Sequence, residues 1–161
     1  MDDHVWVRFG ALNRGPGRSR RALPLIATSA FVVGGLLLVW SAYIHFHLWD
    51  ESDGYRSIPT IGWLFLVQSI VGVVIGAVLI ATRRVWAALL GIGFALCTIG
   101  GFLISVLHGL FGFKDSWLAP FATQAFAIEV IAAAVLALAA IVSLVGSAPS
   151  VRTGSSPTGA T

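Results

Sequence analysis

Residues 122–146 read ATQAFAIEVIAAAVLALAAIVSLVG, a run with no proline and no charge except Glu129. A helix rises about 1.5 Å per residue and needs about 20 apolar residues to cross a hydrocarbon core of roughly 30 Å. This run is long enough, and three more precede it. No Asp, Glu, Lys or Arg occurs between Arg21 and Asp50, from Ser57 to Thr82, or from Val85 to Phe113. Backbone polar groups in lipid must be satisfied within their own segment, which makes each run a helix. The strands of a membrane β-barrel would alternate apolar and polar over about 10 residues, and nothing here alternates. The expected fold is an all-α, four-helix transmembrane bundle over 24–146, with spans near 25–49, 61–82, 85–107 and 122–146.

Composition agrees. Of the 161 residues 57% are apolar and 11% charged, whereas an ordinary soluble domain carries about 25% charged residues. The mean hydropathy is +0.90. Too little polar surface remains to enclose a soluble core, and disordered chains are polar and highly charged instead. A single cysteine, Cys97, excludes an internal disulfide and any chemistry that needs a thiol pair. The net charge of +3 does not indicate nucleic acid, because the basic residues sit at span ends and no interleaved aromatic or zinc-finger pattern accompanies them.

Those span ends set the orientation. Arg8, Arg14, Arg18, Arg20, Arg21, Arg83, Arg84 and Arg152 fall on one side, and only Arg56 and Lys114 on the other, with Asp50, Glu51, Asp53 and Asp115. Basic loops stay inside, so both termini are expected in the cytoplasm. Residues 1–23, rich in Arg, Gly and Pro, and 147–161, rich in Ser, Thr and Gly, are expected to be a disordered arm and tail. Ser19-Arg20-Arg21 faintly suggests a twin-arginine signal, but the long first run and the three after it favour a retained anchor. The loop 50–60, with Asp53-Gly54 and Pro59, should turn tightly over the bundle mouth.

Helical period shows which faces turn inward. Glu129 shares its face with Ala122, Ala125, Ala132, Ala133, Ala140 and Ser143, while Ile131, Val135, Leu138, Val142 and Val145 lie opposite. Small residues let membrane helices approach and branched ones suit lipid, so Glu129 should face the bundle. Similar stripes are Gln68-Gly72-Gly76, Cys97-Gly101-Ser105-His108 and Gly34-Ser41-His45, together expected to give a tight bundle. Gln68 and Glu129 each lie seven residues, about 10 Å, inside their helices, and Ser41 lies at similar depth. These groups predict a polar pocket in the outer half, formed by Glu129, Gln68, His45, His108 and Ser41, above an apolar inner half.

An ionisable residue inside a span costs about 2.5–3.5 kcal/mol and marks a functional candidate. Glu129 is suited to carrying protons, binding a cation, or holding a quinone-like head group; the alternative is a packing role. With no Lys or Arg in any span, it is expected to be held as the neutral acid, donating a hydrogen bond to Gln68. His45, His108 and Glu129 are a conceivable ligand set and His47-Glu51 a conceivable pair. His45 and His47 lie on opposite faces, however, and His45 and His108 match poorly in depth, so no metal and no cofactor is expected. Trp40, Trp49, Trp63, Trp86, Trp117, Tyr43 and Tyr55 form an interfacial belt. No G-x-S-x-G, H-E-x-x-H or phosphate-binding loop occurs, and no enzymatic activity is expected.

The run His45-Phe-His-Leu-Trp-Asp50, then Gly54-Tyr-Arg-Ser-Ile-Pro-Thr-Ile-Gly-Trp-Leu-Phe-Leu66, with Gly109-Leu-Phe-Gly-Phe113 and the acidic fourth span, resembles small four-span bacterial integral membrane proteins of unknown function. The likeness covers roughly 25–145. It implies a multi-pass protein of the bacterial cytoplasmic membrane and carries no activity. Small drug exporters also have four helices and one buried Glu, but in the first span, where this chain has none. The functional expectation is a structural or accessory membrane component. Its expected partners are the lipid bilayer and other membrane proteins or a second copy, with no nucleic acid. The competing expectation is a proton-linked carrier or lipophilic-ligand binder using the pocket around Glu129.

Overall fold

The computed structural model describes residues 22–51 and 54–146. Apart from Ala22 and Leu23, the expected arm lies outside the described residues, as does the whole tail. All four runs are helices: α1 (Ala22–Asp50), α2 (Ile61–Thr82), α3 (Val85–Leu107) and α4 (Ala122–Gly146). The described residues contain no strand, only an isolated bridge between Leu110 and Phe113. α1 begins three residues earlier than the expected span, taking in Pro24, which the first turn of a helix tolerates. Each helix is long and apolar enough to cross a membrane. Large apolar side chains such as Leu36, Ile70, Val73, Leu96 and Ile141 stand exposed along the helices. In water such a surface would aggregate; it fits a multi-pass integral membrane protein.

The helices alternate in direction because their connections are short. Between α2 and α3 there are only Arg83 and Arg84. Arg83 takes a left-handed conformation (φ 50°) and bonds its N–H to Leu79 O, closing α2, while Arg84 is extended and starts α3. This end of the bundle is called the turn end below. The other end carries residues 51–60 and 108–121 and is called the loop end.

Small residues bring three helix pairs together. A Cβ added at Gly76 would lie 2.7 Å from both Gly35 O and Val39 Cγ2, and one at Gly35 would lie 2.9 Å from Gly76 O. The backbones of α1 and α2 are therefore in direct contact. Farther along, Gly72 faces Ala42 of α1. From α4, the fully buried Leu136 fills the gap left by Gly34 of α1 and Gly91 of α3. Phe31, Leu38, Leu79 and Leu136 form the centre of an apolar core. A smaller group, Ile44, Leu48 and Ala125, packs near the loop end.

α4 buries Ala125, Glu129, Ala132, Leu136, Ala139, Ala140 and Ser143 and exposes Ile131, Leu138 and Val145, while Val135 and Val142, expected on the outward face, are partly buried against the core. α3 packs closely through Ala87, Ala88, Gly91 and Ala95, but along its Cys97-Gly101-Ser105-His108 stripe the expected tight packing fails. Nothing lies within 4 Å of a Cβ built on Gly93, Gly100 or Gly101, and Cys97 is exposed. The stripe from Cys97 to Ser105 instead borders an open space between α2 and α3. Small residues permit close approach, but here the neighbouring helix is held away by bulky phenylalanines.

Candidate functional site

Four polar side chains meet a little below the loop end. Ser41 and His45 are one turn apart on α1, Gln68 comes from α2 and Glu129 from α4. The Ser41 hydroxyl donates to Glu129 Oε1 at 2.9 Å, and Gln68 Nε2 donates to the same oxygen at 3.2 Å. Gln68 Nε2 also lies 2.9 Å from His45 Nε2, and His45 Nδ1 lies 2.8 Å from Ser41 O. The carbonyl can only accept, so Nδ1 carries a proton, and on a neutral imidazole Nε2 then presents a lone pair. Gln68 must then turn its amide NH2 toward His45, and its second hydrogen reaches Glu129. The chain of donors follows from that carbonyl and a neutral His45.

This corrects the expected direction of the bond between Glu129 and Gln68: Gln68 donates and Glu129 accepts, because His45 has already fixed the amide. Glu129 is 3% exposed, and Thr98 of α3 approaches the same carboxyl, so every helix contributes to its surroundings. His108 does not take part. It caps the C-terminus of α3, where the helix has ended at Leu107, and its side chain is exposed. Helical extrapolation put it on the inward stripe, but the chain turns away before reaching it. His47 lies on the opposite side of α1 from His45, stacks on Tyr43 and pairs with Glu51 at 3.2 Å.

Two cavities border the network. The larger, about 530 Å³, lies between α2 and α3 under residues 110–115. His45, Gln68 and Thr98 form its polar end, Gly101 its floor, and Phe65, Phe94 and Phe102 its walls, with Phe113 and Asp115 at the loop end. The smaller, about 40 Å³, runs from Glu129, His45 and Thr98 to Tyr55 and Asp115. A space that size with several polar neighbours accommodates a water molecule.

The loops close the site over these cavities. Tyr55, in a short 3-10 turn, stacks on Phe65 with ring centroids 4.2 Å apart and meets Phe113 edge-on. Its hydroxyl donates to Asp115 Oδ1 at 3.4 Å, and the Asp115 amide donates to Ser105 Oγ at 3.2 Å. Gly109 and Gly112 take left-handed conformations (φ 85° and 80°), which lets residues 110–113 turn back over α3. Burial, reinforced by the Asp115 carboxylate, pushes the Tyr55 phenol up to about 12. The neutral phenol is the favoured form. Its contribution to holding the loops is therefore complete below the ordinary value of 10.0 and is lost as pH rises toward 12. In a Tyr43→Phe background the phenolate absorbance should titrate near 12, and adding Asp115→Asn should lower it only in part, because burial, the larger cause, remains. Titration near 10 in both proteins would show that the loop contact does not form.

Of the five residues expected in the pocket, the structure brings Ser41, His45, Gln68 and Glu129 together and leaves His108 out. Thr98, Tyr55 and Asp115 were missed. Thr98 shares a face with Gly101 and Ser105, which was the available signal. Tyr55 and Asp115 are in loops, where no periodicity orders them.

Fold and site together describe a four-helix membrane bundle with a polar cluster at one end and a cavity beside it. Comparison of the chain with protein-family models, with characterised proteins and with solved structures gives no match.

Proposed function

We propose that this chain is a non-enzymatic component of a bacterial cytoplasmic membrane that holds a lipophilic ligand in the cavity between α2 and α3. The observation that carries this reading is the cavity itself: about 530 Å³, walled largely by phenylalanine, with polar groups at its two ends, Gln68, His45 and Thr98 at one and Ser105 and Asp115 at the other. Ligand sites have this form, apolar walls with a few placed polar groups. The loop end faces outward and both termini face the cytoplasm, as the basic residues direct. Thiol labelling of Ser52→Cys but not Ser155→Cys from outside, on a Cys97→Ala background, is the expected result; the reverse would overturn this placement.

Gly101 offers the direct test. A Cβ there meets nothing, and replacing glycine in a helix removes a cost of up to about 1 kcal/mol, so Gly101→Leu should fold at least as well while narrowing the cavity. Protein purified in mild detergent should carry a small lipophilic molecule in the wild type and lose most of it in Gly101→Leu, by mass spectrometry. Equal content in the two proteins would exclude the cavity as the binding place. The accessory role extends this reading: the same preparation should retain a defined membrane-protein partner or a second copy.

A further inference from the structure

We infer that the ligand of this cavity is a lipophilic cation, recognised by Asp115 and a set of phenylalanine rings. This rests on the reading of the cavity as a ligand site and adds the charge of what it takes. The argument is an inventory of what the lining has left to offer. Both hydrogens of the Gln68 amide are committed, to His45 and Glu129. The His45 N–H is committed to Ser41 O, and the Thr98 hydroxyl donates to Ala95 O at 2.9 Å. The polar end thus retains an acceptor, Gln68 Oε1, while the Thr98 oxygen already faces the Glu129 carboxyl. At the loop end Asp115 Oδ1 receives Tyr55 Oη and, at 2.8 Å, the Ser116 amide, while Oδ2 has no protein donor among the described residues. A quinone or another carbonyl-rich head group needs donors and would find the Ser105 hydroxyl, which accepts from the Asp115 amide and keeps its own hydrogen, as the one side-chain O–H or N–H left in the lining.

The walls point the same way. Phe65, Phe94, Phe102, Phe111 and Phe113 line one cavity with Asp115, and no Lys or Arg of the described residues does. Ring faces attract a cation within about 6 Å, most strongly when it is desolvated. A carboxylate beside such rings adds attraction in a medium of low dielectric, and an anion would meet only repulsion. The missing basic residue also decides between a simple cation and a zwitterionic lipid head group. A phosphocholine would leave its phosphate unpaired, which makes an amphiphilic quaternary or protonated amine the better fit.

Tetraphenylphosphonium and tetraphenylborate are nearly the same size and shape and opposite in charge, so they separate charge from hydrophobicity. Each is titrated against the full chain in phosphatidylglycerol-free nanodiscs, with uptake by protein-free discs subtracted. Tetraphenylphosphonium should bind saturably and at least tenfold more tightly than tetraphenylborate. Asp115→Asn should weaken the cation about tenfold, and Phe113→Leu about threefold, with circular dichroism unchanged in both. Gly101→Leu, which narrows the cavity, should weaken binding at least tenfold. Equal binding of the two probes, both weakened by Gly101→Leu, would overturn the cation assignment and leave the ligand site standing. Binding of the cation unaffected by Asp115→Asn would overturn the role of that residue in recognition. No specific binding of either probe would also overturn the cation assignment, and the molecules co-purified with the wild type but not with Gly101→Leu then report separately on the site.

Discussion

Gly76→Leu is expected to destroy the bundle. The added side chain begins 2.7 Å from a backbone carbonyl of α1 and from Val39, so neither a rotamer change nor a small side-chain shift makes room. α1 and α2 must separate along their whole contact. Overpacking of a filled interior costs about 1–3 kcal/mol even where neighbours can move; against backbone, a loss of about 3 kcal/mol or more is expected. Gly93→Leu is the control, because its Cβ meets nothing and the helix gains propensity. Unfolding of both variants in mixed micelles with increasing dodecyl sulfate, followed by tryptophan fluorescence, makes the comparison. Similar midpoints for the two would mean that the close approach of Gly35 and Gly76 does not hold α1 and α2 together.

The second large effect concerns Glu129, where fold and function part. Glu129 Oε1 accepts from Ser41 and Gln68, and the side-chain oxygen of a glutamine can accept both bonds in the same place. Glu129→Gln should therefore keep stability within about 0.5 kcal/mol. Glu129→Leu removes the acceptor and leaves two donors from other helices without it. Interhelical hydrogen bonds in membranes contribute about 0.6 kcal/mol on average and up to about 1.7, so a loss of about 1–2 kcal/mol is expected. The two readings of the carboxyl differ in activity. The small cavity joins Glu129 to Asp115 and the loop end, while toward the turn end the path meets Leu136, Leu38 and Phe31. If Glu129 couples proton movement to a carried ligand, Glu129→Gln removes proteoliposome flux while the folded protein persists. If it serves the network only, Glu129→Gln is silent in every assay. A Glu129→Gln protein that fails to fold would contradict the hydrogen-bond geometry itself.

Number, type and approximate limits of the helices were legible in the sequence, because lipid leaves so few alternatives. A charge-free run long enough to cross must be helical, since it has no water to satisfy its backbone. Glu129 was legible for a related reason: on a helix of known period, an alanine face and a branched face declare which side is inward. Gln68 and Ser41 followed from depth, counted along helices of fixed rise.

The tertiary structure decided what period and depth leave open. Whether small residues on a helix mean contact or a void depends on the neighbour. Gly76 touches backbone and Gly101 borders a cavity, although both read alike as glycines on an inward stripe. Whether Gln68 donates or accepts depends on a histidine on another helix, itself fixed by the carbonyl of Ser41. Whether Tyr55 and Asp115 reach the site depends on loops that carry no repeat, placed by turns at Gly109 and Gly112 and by the hydrogen bond between Tyr55 and Asp115, sixty residues apart in the chain. The sequence determined a membrane bundle with one buried acid, because solvent and helical period act on each segment alone. Cavity, hydrogen-bond direction and loop closure arise only between segments, where the position of each side chain is set by another.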